Sequence, residues 1–321
     1  MSGFPLRRPR TAAPARRLRS AVPAVLAALS LTALAACSGG SSSDVPGGAK
    51  PAGEDVAKKA DVAPDSAILP NSTMAKIKAR GYLIVGGSQD APLWSQLNPI
   101  SGKVDGFDAE MGRLLAKYII GKPEVKIVSS ATETREALLQ NGTVDVVFQT
   151  YTITPKRAEQ VAFAGPYYSS GQAILVKKGA AGIKTPADLN GKTVIAGANT
   201  PAIAAIKQVA PDAKVVTFGS DPECVTALRQ GRGDAYVQDQ ALLVADVKQN
   251  PDTTVVGEPF TADPYGIGLG HDDAAFKTFV NDWLRKIGQD GSWQAIWKQT
   301  LGTVVEGNPP TPPAIGGVPG S

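Results

Sequence analysis

Three dipeptides set the first chemical expectation. Thr154-Pro155, Thr185-Pro186 and Thr200-Pro201 each put a hydroxyl just ahead of a proline, the pairing that opens a helix with an N-cap and a preset first residue. A helix opened this way presents free backbone N–H groups and a partial positive charge, which suit an anion such as a carboxylate. Good capping alone would account for all three, but two follow strand-like runs directly: residues 144–148 precede Thr154 and residues 193–196 precede Thr200. Those two are the first candidate sites. Other reactive chemistry is sparse. Two cysteines and one histidine cannot build a disulfide framework or a histidine-based metal site, so neither metal nor cofactor is expected. Cys224 follows Asp221-Pro222-Glu223, which reads as a helix start with Asp221 as N-cap. A thiol there can be activated, but no histidine lies nearby in sequence to act as its base, and a buried, inert cysteine is the better reading. His271, in Gly270-His271-Asp272-Asp273, reads as a surface-loop residue.

The elements that must position these groups alternate. Strand-like runs at 82–85, 125–128, 144–148, 173–176, 193–196, 235–237 and 266–269 are separated by amphipathic stretches at 108–119, 135–140, 201–209, 225–230, 240–248, 274–287 and 293–300. Strands alternating with helices predict an α/β fold with largely parallel sheets. With 43% hydrophobic and 19% charged residues over 321 positions, the chain can fill two lobes of ~100–150 residues each.

The net charge of +4 misleads until it is located. Arg7, Arg8, Arg10, Arg16, Arg17 and Arg19 lie in the first 19 residues, and no acidic residue precedes Asp44. Without that leader, 27 basic residues face 29 acidic ones, a net of −2. Nucleic-acid binding needs clustered Lys and Arg with a basic balance, so it is excluded as a partner class. The uncharged run 21–36 is too short to span a membrane and follows a basic front, as in a secretion signal. It ends in Leu34-Ala35-Ala36-Cys37, which resembles a bacterial lipobox; the resemblance implies a signal peptide over 1–36 and lipidation of Cys37, leaving the chain anchored on the outer face of the cell membrane. Residues 37–70 are expected as a flexible linker and 305–321 as a disordered Pro/Gly tail.

A longer resemblance is more specific. Residues 141–157 (NGTVDVVFQTYTITPKR), 161–168 (VAFAGPYY) and 170–178 (SGQAILVKK) are similar to the bacterial extracellular solute-binding proteins, family 3, which serve ABC importers of polar amino acids. Gly106-Phe107-Asp108, Asp188-Leu-Asn-Gly-Lys-Thr-Val194, Gly233-Asp234-Ala235 and Tyr265-Gly-Ile-Gly-Leu269 extend the likeness in order from about Met74 to Leu301. It implies the type II periplasmic-binding-protein fold, two α/β lobes joined by two crossover strands around one ligand cleft. Lobe 1 would comprise 71–172 and 261–304, and lobe 2 would comprise 173–260.

The resemblance places the arginine that grips the ligand α-carboxylate at Arg157, small ligand-contacting hydroxyls at Thr150 and Thr152, a second-lobe hydroxyl at Thr200 beside Asn199, and the acid for the α-ammonium at Asp239. Physical reasoning agrees, since a guanidinium pairs a carboxylate bidentately and a buried zwitterion needs both charges matched. Thr134-Arg135 and the following Leu138-Leu139-Gln140-Asn141-Gly142 resemble an element of acidic and amide amino-acid receptors in which the arginine holds the ligand side chain; Arg135 would then select glutamate or aspartate. Gln89, Asp90 and Trp94 fall in the loop expected to close over that side chain. The expected protein is a monomeric, non-enzymatic binding lipoprotein that captures an acidic amino acid, with glutamine or asparagine as the alternative, and passes it to an ABC permease and its ATPase. Two other readings stay open: a sensing module for a membrane signalling protein, and a periplasmic dehydratase, which would need a general acid in the cleft where only Asp239 stands isolated.

Overall fold

The computed structural model describes residues 54–321; the leader, the lipobox cysteine Cys37 and the first part of the expected linker lie outside the described residues. In chain order the elements of the first lobe are α1 (Glu54–Lys59), α2 (Thr73–Arg80), β1 (Leu83–Gly87), β2 (Asp90–Ala91), β3 (Ser95–Leu97), β4 (Val104–Asp105), α3 (Phe107–Ile120), β5 (Val125–Ser129), α4 (Arg135–Gln140), β6 (Val146–Val147), α5 (Pro155–Ala158) and β7 (Ala162–Ser170). The second lobe holds β8 (Gln172–Lys177), β9 (Thr193–Gly197), α6 (Ala202–Val209), β10 (Lys214–Phe218), α7 (Asp221–Arg229), β11 (Ala235–Asp239), α8 (Gln240–Gln249) and β12 (Thr253–Val256). The chain then returns to the first lobe with β13 (Asp263–Leu269), α9 (Ala274–Gln289) and α10 (Ser292–Gln299).

Each lobe is built on a five-stranded sheet, in the orders β5-β1-β6-β13-β7 and β10-β9-β11-β8-β12. The expectation of largely parallel sheets needs correction. β1 is parallel to β5 and β6, and β9 to β10 and β11, but β13 and β8 run antiparallel to both of their neighbours. The cause is topological: strands that carry the chain between the lobes enter their sheets against the direction of the βαβ units. β2, β3 and β4 form a separate small antiparallel sheet.

The crossovers lie where β7 runs into β8 through Gly171 and where β12 returns to β13. Asp263 is paired with Ser170, and a Cβ on Gly171 would overlap the Thr261 carbonyl oxygen, so glycine permits the two connections to touch. Beneath them sits an aromatic cluster. Trp94 meets Tyr168 at 5.0 Å and Tyr265 at 5.6 Å, edge to face, and Phe107 meets Trp293 at 5.6 Å. Such pairs add roughly 0.5–1.5 kcal/mol each beyond their buried area.

Helix α3 shows how a motif builds a scaffold. Gly106 has φ +126°, and a Cβ there would lie 2.5 Å from the Trp94 carbonyl group, so only glycine lets the helix start against that loop. Phe107 is fully buried in the first-lobe core. Asp108 then points inward, a placement its position in the first turn alone does not announce.

The described parts of two segments expected to be flexible pack on the first lobe. Of the linker, α1 buries Ala57 and the following Ala63 against lobe 1, the Ala63 N–H donates to Tyr118 O at 2.8 Å, and Asp61 pairs with Lys286 at 2.6 Å. In the tail, Gly316 N–H donates to Gly165 O at 2.8 Å, while Ile315 and Val318 pack on the core. Small apolar residues spaced among Pro and Gly gave too little periodicity to register as core contributors.

Candidate functional site

The carboxyl ends of the parallel strands converge on one cleft. β1 ends at Gly87 before Ser88, β5 at Ser129, β6 leads to Gln149 and Thr150, β9 ends at Gly197, β10 before Gly219 and β11 at Asp239. Ser88, Ser129, Gln149, Thr150, Gly197, Gly219 and Asp239 all line a cavity of about 240 Å³ between the lobes, the position where open α/β sheets bind ligands.

Arg157 is held by a local device that the sequence announced. Thr154 caps α5, its hydroxyl accepting from Arg157 N–H at 3.3 Å, with Pro155 in the first turn. The guanidinium donates to Thr152 O at 2.8 Å and to Asn199 O, on the second lobe, at 2.9 Å; Glu136 lies 3.7 Å away. Arg157 therefore spans the cleft. Its neighbour Arg135 donates to Thr132 O and Gln149 O, both at 3.1 Å, and lies 4.1 Å over the Tyr151 ring, which Arg157 also faces at 5.0 Å. Burial, and next the like charge of Arg157, push Arg135 down to about 9, still cationic at neutral pH.

Thr150 has φ +42° and Asn199 φ +56°, a left-handed backbone that costs a threonine roughly 1–3 kcal/mol. The strain at Thr150 is held by Asp108 of α3, whose Oδ2 accepts the Thr150 N–H at 2.8 Å while Oδ1 accepts from Tyr167 Oη at 2.7 Å. Burial lifts the Asp108 carboxyl to about 7, against the pull of those two hydrogen bonds.

Asp239 is buried at the second-lobe wall. Its carboxyl is raised well above the usual range, first by burial and then by the charge of Asp263.

The structure brings Arg157, Arg135, Asp239, Thr150, Thr152, Thr200 and Asp90 together on the cavity, whereas Gln89, Trp94 and Asn199 are not among its lining residues. Gln89 faces outside crevices. Trp94 is fully buried and donates its Nε1–H across the lobes to Ala241 O at 3.0 Å, so it joins one lobe to the other. Asn199 contributes its backbone carbonyl. Two cap assignments also change. Helix α6 starts one residue after Pro201, and the Thr200 hydroxyl donates back to Gly197 O at 2.7 Å instead of capping. Ser220, not Asp221, caps α7, in a reciprocal box with Glu223.

That second change exposes a residue the sequence reading missed. Asp221 lines the cavity; its Oδ1 accepts from Tyr236 Oη at 2.5 Å, and Gln238 and Asp246 lie against it. Asp-Pro ahead of a helix looked like a cap, and the preceding serine was the signal that it was not. Cys224 is fully buried, its thiol pushed up to about 12 by burial and then by Asp221. His271 is on an exposed loop beside Asp272.

Residues 83–303 match the model of the bacterial extracellular solute-binding proteins, family 3. The chain belongs to this family. A glutamine-binding protein of Geobacillus stearothermophilus is 41% identical over 249 residues, covering 76% of this chain and 89% of that protein. The glutamate-binding protein GluB of Corynebacterium efficiens is 32% identical, covering 71% and 83% respectively. Among solved structures, a solute receptor for L-cysteine of Neisseria gonorrhoeae superimposes with a TM-score of 0.69 at 31% identity, over 73% of this chain and 95% of the receptor. The two-lobed arrangement of this family 3 chain is thus the type II fold of periplasmic amino-acid-binding proteins, and its relatives are amino-acid-binding proteins of ABC transporters.

Proposed function

We propose that this family 3 protein captures one polar amino acid of the glutamate and glutamine class and delivers it to an ABC permease, as a non-enzymatic lipoprotein tethered through Cys37 on the outer face of the cell membrane. The observation that carries the reading is the cavity's paired charges: Arg157 and Asp239 both face the cavity, one for an α-carboxylate and one for an α-ammonium. Thr150, Thr152 and Thr200 supply polar groups between them.

Arg135 supports a ligand side chain with an oxygen to offer, which glutamate and glutamine share. A net negative side chain is the first reading, because a second cation lines the cavity and, among the described hydrogen bonds, donates to backbone carbonyls and to no carboxylate. The amide is favoured by one further observation. Asp221 and Asp90 also line the cavity; they would repel a second carboxylate and accept the N–H groups of a carboxamide.

A thermal-shift screen of the purified protein against the common amino acids tests the class. A ligand at a hundred times its dissociation constant adds ~2.7 kcal/mol of stability, so glutamate or glutamine should raise the melting temperature by a few degrees. If no amino acid moves the transition, the proposal fails.

A further inference from the structure

The strongest feature the ligand reading leaves unexplained is a second buried carboxylate at the hinge. Gln172, the first residue of β8 after the Gly171 crossover, is fully buried and donates from its one Nε2 to both Asp239 Oδ1 at 2.6 Å and Asp263 Oδ2 at 2.7 Å. Asp263 opens β13, the strand of the other crossover, and also accepts from Thr261 Oγ1 at 2.8 Å. The Thr261 hydroxyl in turn receives the Gln172 backbone N–H at 2.7 Å. Asp239, Gln172 and Asp263 therefore form one chain that links the cavity wall to both connections between the lobes.

The charge of this chain is incomplete. Asp239 and Asp263 are buried together. The groups facing them are Gln172 on β8, Tyr265 and Thr261 on the return crossover, and the guanidinium of Arg157, whose own hydrogen bonds go to Thr152 O and Asn199 O. Arg135 acts on Asp239 through space while bonded to Thr132 O and Gln149 O. No ammonium of the protein enters the pair among the described hydrogen bonds. A second buried carboxylate tied to the same amide opposes ionisation of Asp239.

Resting on the proposed function above, we propose that Asp239, tied through Gln172 to Asp263 at the hinge, holds a proton that the α-ammonium of the ligand replaces. The exchange balances: the Asp239 carboxylic acid gives its proton to solvent buffer, and the ligand R–NH3⁺ arrives with its own three protons and supplies the positive charge. Asp239 touches the ligand; Gln172 and Asp263 are positioning residues that act through it. The rise of the Asp239 carboxyl from burial and from Asp263 has the same direction. Because the bridge includes both crossovers, the ammonium is registered at the hinge, and occupancy favours the closed arrangement by its differential contacts.

Titration calorimetry of the purified protein with L-glutamate and with L-glutamine, in phosphate and in Tris at pH 7, tests the exchange. The binding heat should differ between buffers by the ionisation heat of a released proton, with release approaching one proton per ligand. Asp263→Asn should abolish the buffer difference, and Asp263→Glu should restore the release. Saturable binding with identical heats in the two buffers overturns the exchange while leaving the proposed function standing, and so does undiminished release from Asp263→Asn. Absence of heat with both L-glutamate and L-glutamine overturns both. The wild-type comparison stands on its own if Asp263→Asn does not fold.

Discussion

At the scale of the residue, the cleft is an arrangement of a few charges held by backbone groups. Arg157 is fixed by two carbonyls on opposite lobes and Arg135 by two carbonyls and an aromatic face, so neither guanidinium has to be ordered when a ligand arrives, and the entropic cost of binding falls. Arg135 reads the ligand side chain in this account. Arg135→Ala should therefore cost glutamate more affinity than glutamine, because the lost partner of a carboxylate is worth about 1.5–3 kcal/mol against ~1 for a neutral acceptor. Equal losses for the two ligands, measured by calorimetry, would remove Arg135 from that role. These residues differed in how visible they were. Arg157 followed a Thr-Pro cap and sat inside a long family motif, so its position could be read directly. Asp221 was disguised as a cap, and Gln172 and Asp263 carry no local pattern: they matter because two distant crossovers meet, a contact between residues 91 positions apart.

At the scale of the element, the strained loop at Thr150 depends on the start of α3. Asp108 accepts both the Thr150 N–H and the Tyr167 hydroxyl, and burial raises its carboxyl to about 7. The folded chain thus retains a proton that the unfolded chain gives up above about pH 4. Stability from this group is complete below that pH and is lost as the pH climbs to about 7. Asp108→Asn should flatten the fall in unfolding free energy between pH 4 and 7 by up to ~4 kcal/mol, from about three units at ~1.4 kcal/mol each. Denaturant unfolding across that window checks it, and an unchanged slope would show that other buried acids dominate. Most elements were legible from alternation and capping. Helix α4 has the predicted limits, and α3 and α9 exceed theirs by only one or two residues at an end. The edge strands β10 and β12 were missed because half-buried residues blur their pattern, and the antiparallel entry of β8 and β13 was hidden because strand direction is set by long-range pairing, not by local composition.

At the scale of the molecule, two lobes meet over one small cavity, and the contacts across it are specific. Arg157 reaches Asn199 O and Trp94 reaches Ala241 O, both between lobes, so the lobes share hydrogen bonds even before a ligand adds differential ones. The net charge follows the same division. The basic leader accounts for the positive total, and the body that faces solvent carries −2; the charges that select a ligand are local to the cleft. The segments flanking the lobes, read as flexible from composition, pack against lobe 1 through Ala57, Ala63, Ile315 and Val318, where four small contacts suffice without a periodic signal. The central claim is that one amino-acid zwitterion sits between Arg157 and Asp239. Calorimetric titration of the wild-type protein and Arg157→Ala with glutamate and glutamine tests it most directly. The account predicts one-to-one binding of at least one of them to the wild type and a loss of about a hundredfold or more in the variant, since an unpaired buried carboxylate costs roughly 3–5 kcal/mol, with circular dichroism unchanged. Undiminished affinity in folded Arg157→Ala would contradict it.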